Sequence, residues 1–128
     1  MKNGFSKEER LKSRKQISLL FTNNKQLFSY PFKIIYAPNQ QEDKSPVKLL
    51  ISVSKRTFKH AVYRNRMKRL IRESYRLNKS SIYETLNHND SKILLGIIFV
   101  GKEMMKYKEI EKAMIKALNK LQEQLMKN

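Results

Sequence analysis

Residues 55–76 read KRTFKHAVYRNRMKRLIRESYR, and on a helix of about 3.6 residues per turn they separate into an apolar face and a densely cationic face. Counted from Val62, the spacing predicts a core-facing side made of Tyr63, Met67, Leu70, Ile71, Ser74 and Leu77. The opposite side, called the cation stripe below, consists of Arg64, Asn65, Lys68, Arg69, Arg72 and Arg76, with Arg66 at its boundary. Such a stripe predicts a phosphate-bearing partner.

A solvated charged face is the alternative for any basic helix. Solvated faces usually interleave Glu with Lys at i,i+4 spacing, whereas this helix offers only Glu73 among its cations. Arginine also dominates the stripe, and its planar guanidinium suits bidentate phosphate contact better than lysine does. The pattern therefore favours nucleic-acid binding.

The charge of the whole chain also predicts a polyanionic partner. Its 128 residues include 28 Lys+Arg and 11 Asp+Glu, for a formal net charge of +17. The absence of cysteine excludes disulfides and thiolate metal sites and is compatible with a reducing cytoplasm. No apolar run approaches the ~20 residues of a membrane span, and the N-terminus lacks the apolar core of a signal peptide. A membrane-surface role through basic amphipathic helices stays an alternative.

The rest of the sequence predicts one α+β domain over residues 1–128. We expect helices at 13–21, 60–78 and 107–126 and strands at 32–37, 48–53 and 93–100. The polar segment 38–46 predicts a hairpin loop, and hence an antiparallel first pair of strands. Segment 79–90 predicts a polar connection with a turn of helix at 82–86, and ILLGIIFV at 93–100 predicts a buried central strand. The final helix places one apolar face on the core, made of Ile110, Ala113, Met114, Ala117, Leu118, Leu121 and Leu125. These elements predict a two-layer sandwich in which helices cover part of a small sheet.

Residues 52–74, SVSKRTFKHAVYRNRMKRLIRES, resemble the signature of the protein component of bacterial ribonuclease P. The family's Arg-Asn-Arg hallmark stands here as Arg64-Asn65-Arg66, with Lys68 to Glu73 following in the expected order. The first helix, led by Arg10-Leu11-Lys12, and the strands at 32–36 and 93–100 extend the resemblance over the length of a domain.

The resemblance implies an accessory subunit of a ribonucleoprotein endoribonuclease in the cytoplasm, whose RNA carries out the chemistry. Its substrate is precursor tRNA, from which the 5′ leader is removed to give the mature tRNA end. Mg²⁺ would be held mainly by the RNA, without a dedicated protein metal site or a catalytic side chain. The implied fold has a mixed sheet of about four strands, in the order α-β-β-(β)-α-β-α, and a left-handed crossover through the basic helix. That handedness is unusual, since such connections are right-handed in about 98% of cases.

Two binding surfaces follow from the resemblance. The first would contact the RNA subunit through Lys55, Arg56, Arg64, Asn65, Arg66, Lys68, Arg69 and Arg72. The second is a cleft between the first helix and the sheet that receives the single-stranded leader, matched here by Arg14, Ile17, Phe21, Phe32 and Tyr36. Stacking on aromatic side chains beside cations binds a single strand without strict sequence. Phe32 and Tyr36 share one face of their strand, but that face could equally be the buried one.

This chain departs from the family just before the basic helix, where many relatives read Gly-Asn and Lys59-His60 stands here. We interpret His60 as a helix-entry or RNA-facing residue rather than a metal ligand, because no carboxylate or cysteine stands near it. Two rival functions remain at this stage. A stand-alone RNA-binding module would use the same basic helix without the aromatic cleft, and an independent nuclease would need a carboxylate cluster or a histidine pair that the sequence does not show.

Overall fold

The computed structural model describes residues 4–41 and 43–127; residues 1–3, 42 and 128 of the predicted domain lie outside this description. A 3₁₀ turn at Lys7–Glu9 precedes the regular elements, which are α1 Arg14–Thr22, β1 Lys25–Ser29, β2 Phe32–Pro38, β3 Val47–Val53, α2 Ala61–Asn78, α3 Ser80–His88, β4 Ile93–Phe99 and α4 Tyr107–Lys127. The α+β class is confirmed. Strand β1 supplies the fourth strand that only the resemblance implied, and α3 replaces the single predicted turn of helix.

The strands form one mixed sheet in the order β1-β2-β4-β3. Strand β4 pairs antiparallel with β2 and parallel with β3, which confirms it as a central strand. The predicted hairpin between β2 and β3 is wrong, because β4 lies between them. The loop that joins them passes the start of β4, where Asn39 N donates to Lys92 O and Ile93 N donates to Pro46 O, both at 2.9 Å. The crossover from β3 to β4 runs through α2 and α3, and its left-handedness stays a prediction.

The two faces of the sheet are covered differently. On β2, Phe32, Ile34 and Tyr36 belong to the large core cluster together with the buried side chains of α2 and α4. Ile35 and Ala37 belong to a smaller cluster on the other face, together with Leu20 of α1. We call these the α2/α4 face and the α1 face. The apolar side chains predicted to face the core from α4 are all buried except that of Ala113, which is half-buried.

The side of α2 that is buried differs from the predicted side: it is rotated about the helix axis toward the cation stripe. Tyr75, which the sequence pattern did not place in the core, is fully buried and packs edge-on against Phe5 at a centroid distance of 6.2 Å. Tyr63 and Leu77 were predicted to face the core and are 48% and 42% exposed. The helix buries four side chains, Met67, Ile71, Ser74 and Tyr75. Leu70 of the predicted side is half-buried and packs against this core.

The segment before α1 is attached to the edge of the sheet and to α3. Leu11 N donates to Leu49 O of β3 at 2.9 Å. The Glu9 carboxylate forms a buried ion pair with Lys79 and accepts a hydrogen bond from the Tyr83 hydroxyl. The contacts of Glu9 join parts of the chain seventy or more residues apart, and no local pattern in the sequence predicts them.

Gly96 of β4 leaves room for the side chain of Ile35 on the neighbouring strand β2. A Cβ at this position would lie 2.8 Å from Ile35 Cγ1 and 3.4 Å from Leu20 Cδ2. Both neighbours are buried, so neither moves cheaply. We expect Gly96→Ala to lower the free energy of unfolding by about 1–3 kcal/mol, measured by urea denaturation followed by circular dichroism. In a double-mutant cycle with Ile35→Ala, which removes the closest atom, the two losses should be less than additive. Simple additivity would contradict the steric explanation.

Candidate nucleic-acid interface

Arg64 fixes the loop that leads into the cation stripe. Its Nη1 donates to the carbonyl oxygens of Phe58 and Lys59, each at 2.8 Å, and its side chain is half-buried. His60 is the N-cap of α2, and its carbonyl accepts from the amides of Tyr63 and Arg64. The interpretation of His60 as a helix-entry residue is confirmed. Arg64 therefore holds the entrance of the helix, a structural role that its place in the Arg-Asn-Arg hallmark did not indicate.

The cations of α2 form a surface with little internal compensation. Asn65, Arg66 and Arg69 are exposed, whereas Lys68 and Arg72 are half-buried. Lys55 and Arg56 are exposed in the preceding loop. Glu73, the only acidic residue of α2, forms an ion pair with Arg76, the last arginine of the stripe. Within residues 4–41 and 43–127, Arg66, Lys68 and Arg69 form no ion pair with a carboxylate. Their charge is left for an external anion.

The N-terminal segment adds Arg10 to this surface. Arg10 forms an isolated parallel bridge with Leu49 on the edge strand β3, and its guanidinium lies 5.7 Å from the ring centroid of Phe5. The pKa of Arg72 is lowered by burial and by the positive charge of Arg10. Two guanidinium groups held near each other favour an anion that binds both. Arg10 was absent from the predicted contact residues, although it belongs to the segment that carried the resemblance.

The α1 face of the sheet is only partly covered. Helix α1 buries Ile35, Ala37 and Leu94 near one end of the sheet. Toward the other end, one cross-strand row runs over all four strands and stays accessible; it consists of Phe28, Lys33, Ile98 and Ser52. Phe28 is 57% exposed, and the other three are half-buried. This open row brings together an aromatic ring, a lysine and an apolar side chain. Side chains of these kinds bind single-stranded nucleic acid.

Helix α1 borders this surface with three predicted residues. Arg14 is exposed, Ile17 is half-buried against the α1-face cluster, and Phe21 is 48% exposed. Their spacing puts all three on one flank of the helix. Arg14, Ile17 and Phe21 thus share one flank of α1. Their contact with a leader stays a prediction.

Phe32 and Tyr36 do not belong to this surface. They share a face, as predicted, but it is the α2/α4 face, where their exposures are 0% and 5%. Their assignment to a cleft beside α1 is wrong, because alternate residues of a strand point to opposite sides of the sheet. Phe28 provides the accessible aromatic ring instead. Phe28 was not among the predicted residues, because the short edge strand β1 was not predicted.

Within residues 4–41 and 43–127, no three or more histidine, aspartate or glutamate side chains come together in a way that could hold a metal ion. None of the helices in the same residues is both long and apolar enough to cross a membrane.

Comparison with protein families gives one consistent result. The model of the Ribonuclease P family matches residues 5–122. The ribonuclease P protein component of Porphyromonas gingivalis is 36% identical over 115 residues, covering 90% of this chain and 84% of the relative. The corresponding protein of Chlorobaculum tepidum is 31% identical over 104 residues, covering 76% and 68%.

Solved structures show the same fold. The RNase P protein of Staphylococcus aureus superposes with a TM-score of 0.71 at 24% identity, covering 88% of this chain and 94% of that one. The RNase P protein of Thermotoga maritima gives a TM-score of 0.67 at 23% identity, covering 88% and 96%. The four-stranded sheet with its helices is therefore shared with these proteins.

Proposed function

This chain belongs to the ribonuclease P protein family, and from that premise we propose that it binds two RNA elements at once: the catalytic RNA and the 5′ leader of precursor tRNA. It is an accessory subunit of the ribonuclease P ribonucleoprotein. The residues that we assign to the RNA subunit are Lys55, Arg56, Arg64, Asn65, Arg66, Lys68, Arg69 and Arg72. The open row and the adjoining flank of α1 receive the leader. The proposed setting is the cytoplasm.

The observation that carries the proposal is the presence of two chemically different surfaces on one small domain. Within the described residues, the α2 surface offers Arg66, Lys68 and Arg69 without an ion pair to a carboxylate, which suits the phosphates of a folded RNA. The open row offers an exposed phenylalanine beside a lysine, which suits the unstacked bases of a single strand. A protein that only bound phosphate would need the first surface alone.

In the proposed mechanism the protein positions RNA and leaves bond cleavage to the RNA subunit. Mg²⁺ bound by the RNA supplies the hydrolytic chemistry. Phosphate contacts along α2 fix the orientation of the protein on the RNA. The leader then lies across Phe28 and Lys33 and is restrained beyond the scissile bond. Restraining a flexible leader lowers the entropy cost of aligning that bond.

The proposed function is tested by cleavage of precursor tRNA at low Mg²⁺ with a bacterial ribonuclease P RNA, with and without this protein. We expect strong stimulation, with the cut at the mature 5′ end, as resolved on a sequencing gel. If the RNA from the same organism is not stimulated although the protein binds it tightly, the subunit role is contradicted and a stand-alone RNA-binding module is supported. Cleavage by RNA-free protein would contradict the assignment of chemistry to the RNA.

Phe28→Ala and Phe21→Ala should each weaken binding of precursor tRNA to the holoenzyme by about tenfold, since base stacking on an aromatic ring contributes about 1–3 kcal/mol per base. Both side chains are about half exposed, so their removal leaves the core intact. Binding of mature tRNA, which has no leader, should stay unchanged. The measurement is the dissociation constant for each tRNA form.

Ile115→Ala is the matched control, because Ile115 is a similarly exposed apolar side chain on α4. It should leave both dissociation constants unchanged. An equal loss of affinity for precursor and mature tRNA in the phenylalanine variants would contradict the assignment of the leader to the open row.

A further inference from the structure

A cavity of about 820 Å³ lies at the end of the sheet where β1 and β4 begin and β2 ends. The C-terminal ends of α3 and α4 close it with Leu86 and Leu125. Its volume falls in the range of about 300–1,000 Å³ that is typical of small-molecule sites. No residue of α2 lines it, and neither does any member of the open row. The cavity is thus separate from the two surfaces assigned above.

Tyr36 forms part of the wall and has an unsatisfied hydroxyl. Its side chain is 5% exposed, and among the described residues its oxygen is the only buried side-chain nitrogen or oxygen without a hydrogen-bond partner. Native proteins rarely leave such a group unpaired, and an unpaired one calls for an explanation such as an absent ligand. Burial raises the pKa of this hydroxyl, so at neutral pH it is a hydrogen-bond donor that lacks an acceptor.

The remaining lining combines an apolar wall with a polar, cationic rim. Ile93, Leu86 and Leu125 provide the wall, while Asn89 and Lys25 lie at the rim. None of the described residues that line the cavity is acidic. A ligand that fits has an apolar part for the wall, an acceptor for the tyrosine hydroxyl and a negative group for the lysine.

We propose that this cavity binds a single nucleotide, with its base against Ile93 and Leu125, an acceptor on the base paired with the Tyr36 hydroxyl, and its phosphate near Lys25. The nucleotide is either an unpaired residue of a bound RNA or a free 5′-mononucleotide, since the recognising chemistry is the same. The hydroxyl is buried, so the base reaches it only when a lining side chain moves. A net charge of +17 favours an anionic ligand over a neutral one.

The test is an NMR titration of the full chain with AMP and with UMP, using inorganic phosphate as the comparison probe. We expect amide shifts at the cavity residues, saturating at millimolar nucleotide, and weaker effects from phosphate alone. Tyr36→Phe should raise the dissociation constant by about threefold to tenfold, which corresponds to one lost hydrogen bond. This variant keeps the ring and removes only an unpartnered hydroxyl, so its folding is not at risk. Tyr30→Phe, at an exposed tyrosine outside the cavity, is the control and should change nothing.

Repeating the titration on the protein bound to ribonuclease P RNA separates the two sources. If an RNA nucleotide fills the cavity, the mononucleotide no longer binds and Tyr36→Phe weakens the protein–RNA association by a similar factor. If the ligand is a free nucleotide, it still binds and the association is unaffected. The proposal is overturned if the cavity amides do not respond, if phosphate alone reproduces the nucleotide shifts, or if Tyr36→Phe binds the nucleotide as tightly as the natural chain.

Discussion

Replacing Lys79 with methionine is expected to lower the free energy of unfolding by about 3–5 kcal/mol, because it leaves the buried Glu9 carboxylate without its cation. The side chains of Lys79 and Glu9 are 4% and 10% exposed. The ammonium also donates to Gly4 O and lies 4.9 Å from the ring centroid of Tyr83. The measurement is chemical denaturation at neutral pH, compared with the natural chain.

The loss should depend on pH in a defined direction. Burial raises the pKa of Glu9, but hydrogen bonds from Lys79 and Tyr83 and the charge of Lys79 lower it, and the net pKa lies below the ordinary value of 4.5. A lowered carboxyl pKa contributes stability above 4.5 that is lost as the pH falls through the folded-state pKa. In the methionine variant burial dominates and raises the pKa of Glu9, so protonation of Glu9 removes the cost of burying its charge. The difference between the two proteins should therefore shrink as the pH falls, first as Glu9 of the variant is protonated above pH 4.5 and then as Glu9 of the natural chain is protonated below it.

The double variant Glu9→Met/Lys79→Met separates loss of the ion pair from loss of packing. Replacing both charges with apolar groups removes the desolvation cost of each, so most of the stability should return. A double variant as unstable as Lys79→Met would show that lost packing at Lys79, and not an uncompensated carboxylate, accounts for the effect. A stability difference that does not change with pH would contradict the role of Glu9 directly.

Elements with a strong periodic pattern could be predicted from the sequence. Helix α4 shows its apolar side chains at helical spacing, and β4 is apolar almost throughout because both of its faces are buried. Strand β1 could not be found in this way, since KQLFS is short and has only Leu27 and Phe28 as apolar residues. The partners of β2 and β3 were mistaken because sequence adjacency favours a hairpin and carries no information on an inserted strand.

The candidate site also has parts that could be predicted from the sequence and parts that could not. The cation stripe follows from helical spacing alone, and Asn65 and Arg69 are exposed as it predicts. The other four members are half-buried, because the buried side of α2 lies closer to them than helical spacing indicated. Which side of β2 faces α1 depends on tertiary packing. Phe32 and Tyr36 were therefore assigned to the wrong face, although their shared parity was predicted correctly. Arg10 and Arg72 are far apart in the sequence, and no local pattern indicates that the charge of Arg10 lowers the pKa of Arg72.

The triple variant Arg66→Gln/Lys68→Gln/Arg69→Gln is expected to weaken association with the ribonuclease P RNA by about 100-fold near 0.15 M salt. Each lost phosphate contact reduces counterion release, so the slope of log affinity against log salt should become shallower by about 2–3. Glutamine keeps helix propensity, and neither Arg66 nor Arg69 packs in the core. The measurement is the dissociation constant of the protein–RNA complex at several salt concentrations.

The matched control is Lys108→Gln/Lys112→Gln/Lys116→Gln, which removes the same charge from exposed positions of α4. Near 0.15 M salt the field of an exposed charge is screened over about 8 Å, so a cation that does not touch phosphate contributes little to affinity. The control should therefore lose far less affinity and keep its salt slope. An equal loss in both variants would mean that total charge, and not the position of the α2 cations, determines binding. A selective loss would assign the RNA contact to α2, because both variants remove three positive charges but from different helices.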